Sequence, residues 1–132
     1  MKVLACDGIH EDGLALFRDA GWDVAVAPEP IRDPGALAKA LADVDAVLVR
    51  SATPVPAEAL REAAQLRVIG RAGAGVDTID VEAATARGIA VMNAPDGNTL
   101  AAAEHAISLL FALARHIPRA DAGMKAGEWP KA

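Results

Sequence analysis

Aromatic side chains are nearly absent from this 132-residue chain, which has two Trp, two Phe and no Tyr. That leaves no stacking platform for bases or sugars. Basic clusters are also missing: 13 Lys and Arg stand against 18 Asp and Glu, for a net charge of −5, and no basic run occurs. Binding to nucleic acid or a membrane surface through bulk positive charge is therefore disfavoured. Only one cysteine is present, Cys6, so no internal disulfide can form, and a reducing, cytoplasmic setting is expected. Long apolar runs are lacking too, since none approaches the ~18 residues of a membrane span. Val3-Leu4-Ala5-Cys6 has the outline of a lipoprotein cleavage box, but a secretory signal needs an apolar stretch of about 7–15 residues ahead of it. Only two residues precede the box, so the segment reads as a buried strand. His10, His105 and His116 are scattered without a second ligand at usable spacing, which argues against a metal site.

What the chain does have is a core. Hydrophobic residues make up 53% and charged residues 23%, the composition of a globular unit. At roughly 100–200 residues per domain, the length fits one domain. Short apolar runs alternate with helical periods. Lys2–Cys6 reads as a strand, and Glu11–Ala20 as a helix stopped by Gly21. Trp22–Ala27 is a second strand, followed by a helix opened by Asp33-Pro34. Asp45–Arg50 is a third strand, with Pro56 in the first turn of the next helix. Arg67–Ala72 and Ile89–Asn93 are the fourth and fifth strands, with a short helix over Asp80–Arg87 between them. A long helix over Asn98–Ile117 finishes the pattern, and the segment after Pro118 is the weakest-structured stretch.

Ala46-Val47-Leu48-Val49 is apolar at consecutive positions, as a strand covered on both faces requires. Five strands alternating with helices imply right-handed crossovers and a parallel sheet between helix layers. The expected fold is a flavodoxin-like, doubly wound, three-layer α/β/α domain with strand order 2-1-3-4-5.

In such a sheet, ligands bind beyond the carboxyl ends of the strands. Those ends carry Asp7-Gly8, Arg50-Ser51-Ala52-Thr53, Arg71-Ala72-Gly73-Ala74-Gly75 and Asn93-Ala94-Pro95-Asp96-Gly97-Asn98. Two arginines, two hydroxyls and a glycine-rich turn suit a small anion, because guanidinium forks match carboxylate and phosphate, and glycine lets backbone N–H groups approach. Each residue also has a plainer reading. Arg50 could pair with Asp7 or Asp77, Arg71 is open to the same doubt, and the glycines could serve only a tight turn. Gly73-Ala74-Gly75-Val76-Asp77-Thr78 begins like a dinucleotide fingerprint, but Thr78 replaces the third glycine and no acid closes the following strand, so no dinucleotide site is assigned. There is no nucleophile elbow or P-loop. A phosphoacceptor receiver domain of the same fold would need an Asp after strand three and a Lys after strand five, where this chain has Arg50 and Asn93.

Val49-Arg50-Ser51-Ala52-Thr53, Gly70 to Asp77, Val91 to Asn98 and Ala103-Glu104-His105, in that order, resemble the D-2-hydroxyacid dehydrogenase family. The Arg-Ser-Ala-Thr and Gly-Arg-Ala-Gly segments favour its phosphoglycerate branch. The resemblance runs over the whole chain. It implies a fragment of an NAD-dependent enzyme that oxidises 3-phosphoglycerate in the first step of serine synthesis, carrying the substrate half-site without the catalytic or NAD-binding domain. By resemblance, Arg50, Ser51 and Thr53 hold the substrate phosphate, the N–H groups of Gly75 and Val76 its carboxylate, and Arg71 and Asn98 support the site. Ala74 stands on the cofactor side, where many members carry Thr, and Pro130 departs from the family's usual charged pattern.

The expected layout is a substrate-binding domain over 1–117 and a linker over 118–132 toward an absent nucleotide-binding domain. The partners implied are a small phosphorylated hydroxy acid and that domain. NAD belongs to the parent, is not expected to bind this chain tightly, and no catalytic residue is assigned here. The alternative is a self-standing, non-catalytic module of the same fold that binds a small anion or serves in assembly. In the long helix, Glu104, His105, Ser108, Arg115 and His116 fall on one arc, while apolar residues fill the remaining ~200° at ~100° per residue. A helix covering one sheet face needs about half that width. The helix thus expects two partners. It is read as folding back over its own sheet, in a monomer with a weak tendency to dimerise.

Overall fold

A computed structural model describes residues 1–129. The chain forms two compact units, Met1–Gly97 and Asn98–Ala132. The first holds β1 (Lys2–Ala5), α1 (Glu11–Asp19), β2 (Asp23–Val26), α2 (Pro34–Leu41), β3 (Ala46–Val49), α3 (Ala57–Leu60), β4 (Val68–Arg71), α4 (Val81–Ala86) and β5 (Ala90–Asn93). All strand pairs are parallel, in the order β2-β1-β3-β4-β5 expected from the sequence.

Register decides which side chains share a face. Leu4, Val47, Ile69 and Val91 are register partners across four strands. They belong to one core with Leu37 and Leu41 of α2, Leu60 of α3 and Ala84 of α4. Local chemistry starts these helices: Asp33 Oδ2 accepts from the Ala36 N–H at 2.7 Å with Pro34 just inside the first turn, and Asp80 Oδ1 accepts from the Ala83 N–H at 2.9 Å. Pro56 is the cap before α3 rather than part of its first turn.

The opposite face carries the alternate register set, Ala5, Leu48, Gly70 and Met92. Val3, Ala5 and the α1 residue Leu14 are buried. Toward β3–β5 this face forms an apolar groove of about 480 Å³, lined by Phe17, Trp22, Leu48, Val68 and Met92 among others. The lone Cys6 is fully buried just past β1, as a strand reading of that segment requires.

The second unit contains α5 (Thr99–Ala114) and α6 (Ile117–Lys125), bent by 65° at the break. The sequence reading continued one helix to Ile117 and left the rest as linker. Pro118 explains the difference: it has no N–H to donate to Ala114, and its ring would clash with that carbonyl. His116 turns left-handed at φ 52° and a new helix begins. No side chain of α5 is buried, and Leu100, Ile107, Leu110, Phe111 and Leu113 are all exposed. No single helix among the described residues is long and apolar enough to cross a membrane. Pro130 lies outside the described residues.

Candidate anion site at the strand ends

The carboxyl end of β1 sets the frame of the site. Immediately after the buried Cys6, Asp7 and Gly8 both take left-handed backbone, at φ 61° and 66°. Asp7 Oδ2 accepts from the backbone N–H of Arg50 at 2.8 Å and of Thr53 at 3.0 Å, and Oδ1 accepts from the Thr53 hydroxyl at 2.5 Å. Burial pushes the Asp7 carboxyl up. The Thr53 hydroxyl and the N–H groups of Arg50, Thr53 and Ala52 outweigh that and hold it below the ordinary carboxylate value.

Thr53 is 0% exposed, and its hydroxyl also accepts from the Ile31 N–H at 3.1 Å. Its side chain has no surface to offer a ligand and acts as structural support, unlike the phosphate contact expected from sequence. Arg50 and Ser51 are exposed at the same turn. The Arg50 guanidinium has no protein hydrogen-bond partner among the described residues; the link to Asp7 runs through the Arg50 backbone instead.

The β4 turn lies against this one. The Ala72 N–H donates to the Val49 carbonyl at 2.9 Å, and Arg71 Nε donates to the Arg50 carbonyl at 3.4 Å. Arg71 Nη1 donates to the Gly75 carbonyl and lies 3.3 Å from Asp77 Oδ1, with only 10% of the side chain exposed. Asn93 Nδ2 donates to the Ala74 carbonyl at 2.6 Å, and the Ala94 N–H to the Gly73 carbonyl at 3.0 Å. With carbonyls 73, 74 and 75 all engaged, the turn is held from two sides. Among the described residues, the N–H groups of Gly75 and Val76 donate to no protein acceptor. An acceptor-only ligand would complete them.

Arg50, Ser51, Arg71, Ala74, Gly75 and Val76 are therefore brought to one edge. Asn98 lies in the second unit as the N-cap of α5, where its side chain makes no capping bond. Sequence reasoning left out Asp7 and Asn93 as site supports, although both close their strands with a polar residue. No group of His, Cys, Asp and Glu able to hold a metal occurs among the described residues.

Residues 3–124 match the family described as D-isomer specific 2-hydroxyacid dehydrogenase, catalytic domain. The chain belongs to that family. This dehydrogenase-family chain is 47% identical over 131 residues to D-3-phosphoglycerate dehydrogenase of Archaeoglobus fulgidus, covering 99% of itself and 24% of that protein. It spans about a quarter of the length of the curated relatives it matches. Among solved structures, it is similar to the TT0316 protein from Thermus thermophilus, at TM-score 0.81 and 31% identity over 100% of this chain and 42% of that one. It is also similar to the NAD+-bound 3-phosphoglycerate dehydrogenase of Entamoeba histolytica, at TM-score 0.71 and 30% identity, covering 85% of this chain and 38% of that one.

Proposed function

We propose that this chain is the substrate-binding part of an NAD-dependent D-3-phosphoglycerate dehydrogenase, a cytoplasmic enzyme of serine biosynthesis. The observation that carries the reading is the pairing of an unengaged Arg50 guanidinium with the unengaged N–H groups of Gly75 and Val76 on adjoining turns. A substrate with an anion at each end matches this pair. Arg50 and Ser51 would take the phosphate, and the two N–H groups the carboxylate. Arg71 orders the turn that presents those N–H groups, and Ala74 is proposed as an outer contact on the cofactor side. The 47% identity to a D-3-phosphoglycerate dehydrogenase supports the same substrate.

Oxidation at the hydroxyl-bearing carbon removes a hydride and a proton. NAD supplies the hydride acceptor when bound in the parent, through a nucleotide-binding domain that this reading places outside these residues. The chain's own contribution is to hold the two charged ends so that the carbon between them is fixed in place. Accordingly, the purified 132-residue chain should bind substrate without turning it over. An assay for NADH with 3-phosphoglycerate and NAD at high protein concentration checks this. Substrate-dependent NADH production that Arg50→Ala abolishes would overturn it.

A further inference from the structure

We infer that Asp7 is the positioning residue of this anion site: its carboxylate clamps the 50–53 turn in the conformation that presents Arg50 and Ser51 outward. The inference rests on the anion-site reading above and deepens it. The role given to Asp7 involves no direct ligand contact. Asp7 acts through the turn, taking donors from both ends of one tetrapeptide, the Arg50 N–H at 2.8 Å and the Thr53 N–H at 3.0 Å. With both ends tied to one carboxylate, the intervening Ser51 and the Arg50 side chain have only the solvent side left, and both are exposed.

Two further features make the clamp specific. Asp7 holds φ 61°, a backbone state that short polar side chains tolerate through local hydrogen bonds and that most other residues avoid. Thr53 extends the clamp inward: its hydroxyl gives its hydrogen to Asp7 Oδ1 at 2.5 Å and receives one from the Ile31 N–H at 3.1 Å, linking the site turn to the segment before α2. A carboxylate beside an anion site would ordinarily repel the ligand. Here both carboxylate oxygens are occupied by donors of the 50–53 turn, which fix the group in place without removing its charge.

The test uses the 132-residue chain with Asp7→Ala, Asp7→Asn, Thr53→Val and Thr53→Ser, each titrated with 3-phosphoglycerate and followed by backbone amide shifts. Amide hydrogen exchange without ligand is measured in parallel. Losing a hydrogen bond to a charged group predicts affinity at least about tenfold weaker in Asp7→Ala and Thr53→Val. Exchange at Arg50 and Thr53 should quicken by a similar factor, while Val47 and Ile69 in the sheet keep their protection. Thr53→Ser, which retains the hydroxyl, should restore both readouts, and Asp7→Asn, which tolerates the left-handed backbone, should fall between. Wild-type affinity in Asp7→Ala, or Thr53→Ser as impaired as Thr53→Val, overturns the inference. Should Asp7→Ala not fold, the Thr53 pair decides alone. If wild type shows no shift at Arg50 and Ser51, the anion-site reading falls on its own. Unchanged exchange at Arg50 and Thr53 in the Asp7 variants would separately overturn the clamp.

Discussion

Arg71 closes the turn that its own strand opens, its guanidinium donating to the carbonyl of Gly75 four residues ahead. The same side chain reaches the Arg50 carbonyl and Asp77, so one planar, multi-donor group joins the two turns of the site. Arg71 thus organises the two turns of the proposed anion site, with little of its surface left for a ligand.

Arg71→Lys should accordingly fail to substitute, because one ammonium cannot span acceptors that lie in different directions. We expect a loss of about 1–3 kcal/mol, the scale of hydrogen bonds to a charged group. Asp77 is 77% exposed, so Asp77→Asn should cost under about 0.5 kcal/mol. Urea unfolding of the two variants checks the contrast. Equal losses would contradict the role given to the guanidinium.

Two glycines should respond differently to a methyl group. At Gly75 an added Cβ would sit 2.7 Å from Asp77 Oδ1 and 3.0 Å from Arg71 Nη1, forcing apart the contacts that close the turn. At Gly70 it would crowd the movable tip of Leu48, at 2.8 Å, with the Val47 carbonyl at an ordinary contact distance of 3.9 Å, beside the open groove. Gly75→Ala should therefore cost about 1–3 kcal/mol and Gly70→Ala under about 1 kcal/mol, in the range of overpacking effects. Denaturation midpoints at constant slope read both.

The fold class was legible because it rests on local signals: the unbroken Ala46–Val49 run, the capping residues Asp33 and Asp80, and the glycines that stop helices; the strand order was expected only as the common one for such a chain, and the pairings bear it out. The candidate edge was read from the strand ends. The role of Thr53 was not legible, because its partner Asp7 lies 46 residues away and only the β1–β3 pairing brings the two together. In the sequence it is one hydroxyl beside Ser51. The structure buries one and exposes the other. The helix break at His116 was legible in principle, since Pro118 cannot continue the ladder, but the apolar period running across it concealed the stop.

Asp7 also predicts a pH dependence. Its folded value is lowered, so its contribution to stability is fully present above the ordinary aspartate range near about pH 4 and is lost as pH falls through the lower folded value. The stability gap between wild type and Asp7→Asn should be constant from neutral pH to about pH 5 and shrink below about pH 4. Urea midpoints across that range measure it. A gap that widened toward acid would have the wrong sign.

Cys6 should be inert in the folded chain. Burial pushes its thiol up to about 11, the negative Asp7 adds to this, and the contact with Thr53 offsets part of it. A thiol reagent at mildly alkaline pH should label the native protein only as fast as it opens, and the urea-unfolded chain at once. Rapid labelling of native protein would contradict the burial of the β1 end.

The most direct test of the anion site is a titration of the wild-type chain with 3-phosphoglycerate, resolved residue by residue through amide shifts. Affinity on the order of millimolar, about −4 kcal/mol, is expected for half a site without closure. Shifts should concentrate at Arg50 and Ser51 and at Gly75 and Val76, with glycerate, which lacks the phosphate, moving the second pair but not the first. Saturable shifts confined to other strand ends, or none at either turn, would contradict the account.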